Sequence, residues 1–466
     1  MEEMTKSEKK ILLIASCTAS VITPMTGSMM NLSLVGIGIS FDIGAFALAY
    51  VNTVFLISSV IFMVPVAKIA DMIGRKKIFV FGLIIYMIAS FAAYFSISYE
   101  MLLALRFLMG LGAAAMATTA MTMITDAFGP KERGSAIGYI TASVYSGLAM
   151  GPVIGGLIND AFGWRAVFVV TVPLAVVSLF SIWKVRPDNI TKEKKKFDLV
   201  GTVFYTVGIS LAIVGLINLP RFESFVSMAL GFMVLMTFAR YEKQLNNPVL
   251  NVNIFSNKLF FRTSLASFLI NSANFSVVFF MALYLQTVGA LSASQAGMIM
   301  FIQPLIQTSF TAYFGKLYDR MNDKRVLPTA GVMISGVGVT LMIFTSLEVN
   351  LMMVVTSLIF FGLGNSVFNA PNTTATMSSV LPCDRGSASA MVAVVRQFGM
   401  LVSMGIAMGT ISVVMGSFDA LNPITYGKFV TVIHISFIIS VFMCVLAMLA
   451  SWFRGKPSNE CASVRY

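Results

Sequence analysis

Arg106 is the residue in this 466-residue chain whose setting most demands a chemical reason. It lies in Leu105-Arg106-Phe107-Leu108-Met109-Gly110, inside a long apolar run, and Arg396 is placed similarly in Val395-Arg396-Gln397-Phe398-Gly399. A guanidinium at such depth turns inward, pairs or lines water, so each is a candidate for charge coupling or for holding an anion. The structural alternatives are bracing of helices through backbone carbonyls and, for Arg396, snorkelling to the nearer surface. Proton transfer needs a titratable partner, and none of the 20 Asp/Glu falls within an apolar run. His434, the one histidine, enters the last run and is a candidate for coupling, with simple packing as its alternative. The remaining polar groups are uncharged. Asn271 with Asn274, Gln303 with Gln307, and Asn365 with Asn369 recur at i+3 or i+4, one helix face each. Together with Thr26, Asn31, Met109, Tyr284 and Arg396 they outline a candidate substrate cavity of amides and hydroxyls among Phe and Met side chains. Such a lining suits bulky lipophilic ligands, and the 33 Met fit a plastic wall.

Other chemistries are disfavoured. The polar loops carry no convergent nucleophile, base and orienting group, so enzymatic chemistry has no support. No glycine-rich nucleotide loop ends in Lys-Ser/Thr, which leaves an ion gradient as the energy source. Cys17, Cys383, Cys444 and Cys461 show no paired spacing, so neither a disulfide framework, a metal site nor a cofactor is indicated.

The elements that must position these residues are membrane-spanning helices. Hydrophobic residues make up 57% of the chain, charged residues 11%, and mean hydropathy is +0.86, beyond what a soluble domain sustains. A span needs about 20 apolar residues. Fourteen such runs lie near 11–39, 44–66, 78–98, 101–123, 135–157, 165–183, 199–219, 224–239, 263–287, 293–315, 328–346, 351–373, 388–413 and 429–452. With the N-terminus cytoplasmic, the outer loops hold only Arg165, Arg221 and Lys428 of the 32 Lys/Arg, and Arg106 and Arg396 lie within helices. That asymmetry places both termini in the cytoplasm. It also accounts for the net charge of +12 without nucleic acid, including the run Lys192, Lys194, Lys195 and Lys196. The first run has no cleavage site after it and stays as a helix.

Two loop motifs repeat. Pro130-Lys131-Glu132-Arg133-Gly134-Ser135-Ala136 returns as Pro382-Cys383-Asp384-Arg385-Gly386-Ser387-Ala388, and Ala67-Lys68-Ile69-Ala70-Asp71 returns as Gly315-Lys316-Leu317-Tyr318-Asp319. Duplicated halves are the mark of secondary transporters. An offset near 250 residues exceeds six helices by two, so residues 1–184 form one six-helix bundle, 185–260 a basic loop with two inserted helices, and 261–466 the second bundle.

These motifs resemble the major facilitator superfamily, and within it the fourteen-helix drug:proton antiporters, over almost the whole chain. Ala67 to Lys77 matches G-x-L-x-D-R-x-G-R-[KR]-x-[KR] at Asp71, Gly74, Arg75 and Lys76, and departs at Ala67, Met72 and Ile78. The resemblance implies a gating loop of Asp71, Gly74 and Arg75, echoed by Asp319 and Arg320, with Asp71 held near a helix N-terminus around Gly386. Capping of a tight turn is the simpler reading of the same residues. Arg106 to Ala113 is similar to R-x-x-Q-G-x-G-A, with Met109 where Gln is common. Gly147-Leu148-Ala149-Met150-Gly151-Pro152-Val153-Ile154-Gly155-Gly156 resembles the antiporter motif, a smooth ridge beside a proline bend. In the first run Thr26 replaces the family's Asp. The resemblance implies a monomeric, multi-pass carrier of a prokaryotic plasma membrane, set in lipid, that exports small amphipathic molecules against protons by alternating access. The alternatives are a carrier of an anionic or neutral metabolite that uses Arg106 and Arg396, and a non-transporting receptor.

Overall fold

The computed structural model describes residues 4–186, 198–245, 250, 252–381, 385–416 and 421–454. Lys192 to Lys196, Cys461, and Pro382, Cys383 and Asp384 of the second loop repeat lie outside them. Regular structure among the described residues is helical throughout. The first half holds α1 (Lys6–Phe41), α2 (Ala45–Ile73), α3 (Arg75–Tyr94), α4 (Tyr99–Ala127), α5 (Pro130–Phe162) and α6 (Ala166–Trp183). Then come α7 (Leu199–Ile217) and α8 (Phe222–Glu242), followed after a 3-10 turn by α9 (Lys258–Thr287), α10 (Ala293–Arg320), α11 (Val326–Met342), α12 (Leu351–Ser378), α13 (Arg385–Val414) and α14 (Tyr426–Trp452). Pro173, which has no N–H to donate, interrupts α6 at Thr171.

The helices outrun the apolar stretches because polar ends are capped. Thr5 and Glu8 close a capping box, with Glu8 N donating to Thr5 Oγ1 (3.3 Å) and Thr5 N to Glu8 Oε2 (2.9 Å). Ser98 caps α4, and Asn257 and Asn350 cap α9 and α12 through backbone N–H groups. Twelve helices among the described residues are long and apolar enough to cross a membrane. The other two differ from expectation for separate reasons. α10 has length but carries Gln295, Gln303, Gln307, Lys316, Asp319 and Arg320. α11 has 17 residues, about 26 Å at the helical rise, and is prolonged by tightened i→i+3 bonds through Ile343, Phe344 and Thr345.

The described chain forms two compact units, one of Met1–Ile43, Ala47–Ser210 and Leu291–Phe301, the other of Gly44–Phe46, Leu211–Ala290 and Ile302–Tyr466. Within the first unit α1 packs on α4, α5 and α6, α3 on α4 and α6, and α5 on α4 and α6. In the second, α9 packs on α12, α13 and α14, α11 on α12 and α14, and α13 on α12 and α14. Every pair in one set becomes a pair in the other when eight is added to its helix numbers.

Glycine contacts repeat the same way. A Cβ on Gly82 would lie 2.9 Å from the Gly112 carbonyl, and one on Gly331 would lie 2.9 Å from that of Gly364. Gly362 abuts the Gln303 backbone of α10 as Gly110 abuts the Phe55 backbone of α2. Close backbone approach through small residues is how helices associate where lipid removes the hydrophobic drive. The duplication therefore extends from the loop motifs into the packing of the helices.

Candidate substrate and coupling site

In the first unit, polar groups from α1, α2 and α4 converge on Arg106, which is 1% exposed. Its Nε donates to the Val51 carbonyl (3.0 Å), Nη2 to Asn52 Oδ1 (3.4 Å), and its guanidinium lies 4.8 Å from the Phe55 ring centroid. Asn52 Nδ2 donates in turn to Asn31 Oδ1 at 2.7 Å. Arg106 Nη1 is buried without a hydrogen-bond partner. The charge is thus met by a carbonyl, an amide and a π face, with no carboxylate in the set. Thr26 donates to the Ile22 carbonyl (2.8 Å) and shares a hydrogen bond with the hydroxyl of fully buried Tyr86 on α3. Met109 is fully buried beside Arg106 in sequence and fills space instead of offering an amide.

The second unit holds an uncharged cluster. Asn274 Nδ2 donates to Asn365 Oδ1 at 3.0 Å, Asn365 Nδ2 to the Phe361 carbonyl at 2.9 Å, and Gln303 Nε2 to Gln307 Oε1 at 2.8 Å. Acceptor capacity is left over. Asn274 Oδ1, Thr308 Oγ1, Asn372 Oδ1 and Gln397 Oε1 are buried without partners. Asn271 is half-buried and donates back to its own helix at Ser267, and Asn369 is half-buried one turn beyond Asn365. Tyr284 is fully buried and donates to the Ser346 carbonyl (2.7 Å), so its hydroxyl is consumed by packing. Arg396 is exposed. His434 Nε2 lies 2.7 Å from the Thr345 carbonyl, which can only accept, so Nε2 carries the hydrogen and Nδ1 remains the basic nitrogen.

The α2–α3 turn is built around Gly74, whose φ of 109° strains any residue with a Cβ. It sets Asp71 and Arg75 side by side: Asp71 Oδ1 accepts from Arg75 Nε (3.1 Å) and Nη2 (2.9 Å), while Arg75 Nη1 pairs with the Asp126 carboxylate at the end of α4. The corresponding second-unit turn pairs differently. Asp319 and Arg320 are exposed, and the ion pair is Asp323 with Arg325 (2.9 Å), whose guanidinium is held above its ordinary pKa by the hydrogen-bonded carboxylate beside it.

Along α5, an added Cβ would lie 2.5 Å from the Val21 carbonyl at Gly147, 2.5 Å from Ser28 Cβ at Gly151 and 2.7 Å from Met29 Cα at Gly155. The whole ridge seats on α1. Gly156 abuts the Ala293 carbonyl. Pro152 lacks the N–H that would bond Leu148, and Ser28 Oγ of α1 lies 3.4 Å from that freed carbonyl. One turn on, Asp160 caps the start of α10, accepting from Ala293 N (3.1 Å) and Ser294 N (2.9 Å).

Asn52, Tyr86, Asp126 and Asp160 escaped the sequence reading. Asn52 is a single amide without an i+4 companion, and Asp126 and Asp160 sit at helix ends, where a carboxylate reads as solvated. The offset repeat gave no help, since none of the four has a like residue in the other half.

The Major Facilitator Superfamily model matches residues 15–404. A riboflavin transporter of Clostridioides difficile (strain 630) is 24% identical over 465 residues, covering 98% of this chain and all of that protein. Multidrug resistance protein 3 of Bacillus subtilis (strain 168) is 26% identical over 383 residues, covering 78% of this chain and 72% of its own. Among solved structures, a bacterial homologue of the human lysosomal transporter Spinster, in an inward-facing and unoccupied conformation, aligns over 98% of this chain and 99% of its own, with a TM-score of 0.73 at 17% identity. A D-xylose–proton symporter aligns over 96% of this chain and 98% of its own, with a TM-score of 0.69 at 14% identity. At those identities the structural likeness carries the fold alone. With a family model spanning most of its length and a helical fold to match, the chain belongs to the Major Facilitator Superfamily, a family of secondary transporters and not of enzymes.

Proposed function

We propose that this protein is a proton-coupled exporter of amphipathic small molecules in a prokaryotic plasma membrane, working as a monomer by alternating access with both termini cytoplasmic. In this reading residues 1–184 and 261–466 are the moving bodies, residues 185–260 are an insert, and Asp71, Gly74 and Arg75 bias the gate. The observation that carries it is the α5 ridge. Gly147, Gly151 and Gly155 are all in backbone contact with α1, and Ser28 of α1, whose hydroxyl donates to the Pro24 carbonyl (2.9 Å), lies beside the proline-freed carbonyl, which is the packing the antiporter-type motif calls for. The substrate is neutral or anionic and rich in hydrogen-bond donors. Of the described carboxylates only Glu242, at the end of α8, is buried, whereas amide and hydroxyl acceptors in the second unit lack partners. The match to a riboflavin transporter along its whole length supports a flat, polar, amphipathic cargo, and the multidrug relatives support breadth.

Everted membrane vesicles with an imposed pH gradient test this reading. Accumulation of riboflavin or of lipophilic dyes, abolished by collapsing the gradient, is the expected outcome; its absence across a broad panel would refute export against protons. A second reading, a carrier of an anionic metabolite, is favoured by the unpartnered Nη1 of Arg106. Competition by carboxylates, lost in Arg106→Ala, would select it.

A further inference from the structure

The first turns of α9 carry Lys258 and Arg262, four residues apart and so on one helix face, and Leu265 and Leu269 continue that stripe. On α14, Leu446 and Leu449 face it. Between the two helices runs a groove of about 470 Å³, apolar along its walls, with Arg262 at one end. Its volume is that of a ligand-sized cleft. Its rim is open, for Leu265 is 36% and Leu449 42% exposed.

Of the two cations on this stripe, Arg262 caps the end of α14 and Lys258 has no partner among the described residues. Lys258 is exposed and makes no hydrogen bond or ion pair among the described residues. Arg262 gives Nη1 to the Phe453 carbonyl, which pins the guanidinium across the end of the groove and leaves its other N–H groups available. Both lie in the first turns of a helix, where the macrodipole disfavours positive charge and favours an anion. Next in sequence to Phe453 is a buried cation, Arg454, 2% exposed, with Nη1 and Nη2 both without a hydrogen-bond partner. Among the described residues the Asp323 carboxylate is shared there between Arg325 and Arg454.

An occupant that complements an apolar trough lined by Arg262, with Lys258 one turn away on the same face of α9, is an anion joined to a long hydrocarbon chain. We propose that the α9–α14 groove is a specific site for one anionic phospholipid, with its phosphate between Lys258 and Arg262 and an acyl chain along Leu265, Leu269, Leu446 and Leu449. Basic pockets between transmembrane helices recognise anionic headgroups in this manner. The site is separate from the substrate and gating residues, so its test reads no transport.

The purified full chain, titrated in detergent with phosphatidylglycerol or phosphatidylcholine and followed by native mass spectrometry, decides the matter. One retained phosphatidylglycerol per chain is expected, preferred over phosphatidylcholine by about fivefold per contributing cation. Lys258→Gln with Arg262→Gln is expected to abolish the preference, and Leu265→Trp, which fills the groove and keeps both cations, to weaken retention of the lipid. Equal retention of the two lipids by the wild type would overturn the proposal. So would an undiminished preference in the double variant, or full retention in Leu265→Trp, which would mean headgroup adsorption without the groove. Should the double variant fail to fold, a headgroup-photoreactive phosphatidylglycerol on the wild type replaces it. Cross-links confined to peptides around 258–262 and 449–454 support the site, and cross-links spread over the surface refute it.

Discussion

At the scale of single residues, the chain keeps a fully buried cation and surrounds it with neutral partners. Arg106 binds two groups of α2, the Val51 carbonyl and the Asn52 amide, and lies over a third, the Phe55 ring. Lysine keeps the charge and loses the planar fork. Arg106→Lys is thus expected to lower unfolding free energy by about 1 kcal/mol, two cross-helix bonds at about 0.6 each, while vesicle transport falls at least tenfold; unchanged transport would return Arg106 to a bracing role. The Asp71–Arg75–Asp126 cluster gives a contrasting case. Its side chains are partly to largely exposed, so Asp126→Asn is expected to move thermal stability by less than about 1 kcal/mol. Turnover should change with substrate affinity held, as measured by initial rates across a substrate series. Arg106 was legible in the sequence because a guanidinium inside an apolar run is conspicuous. Asn52 and Asp126 were not, since what gives them meaning is a partner 54 and 51 residues away that no local pattern encodes.

At the scale of elements, spacing spoke more clearly than type. The ridge of glycines every four residues announced a close helix contact, and the structure supplies its partner, α1. Gly151→Leu forces a side chain into Ser28, overpacking worth about 1–3 kcal/mol, and is expected to abolish transport with a lowered melting temperature. Gly138→Ala, on the same helix with nothing within 4 Å, is expected to leave both unchanged. Equal behaviour of the two variants would remove the ridge from the mechanism. Helix ends were harder to read than helix cores. Apolar runs end where polar residues begin, whereas α1 and α5 continue into charged turns held by the Thr5–Glu8 box and by Pro130 at the first helical position. The amide pairs of α9, α10 and α12 were legible from their i+3 and i+4 spacing, but which amides bond one another, Asn274 with Asn365 and Gln303 with Gln307, depends on helix rotations that no single helix determines.

At the scale of the whole molecule, two short loop repeats foretold a doubled architecture, and the helix pairings of the two units follow one scheme shifted by eight helices. The doubling is of scaffold and not of chemistry. Within its spanning helices the first unit buries the Arg106 guanidinium, and the second pairs the amides of Asn274 and Asn365. On the proposed function, this frame drives small-molecule export with protons. The most direct measurement uses the purified chain in liposomes that contain a pH-sensitive dye, at zero membrane potential, with riboflavin or a transported dye added outside. A saturable, substrate-dependent proton movement opposite to the solute, absent from liposomes bearing Gly151→Leu, is the expected result. Solute movement without any change in lumenal pH would contradict it.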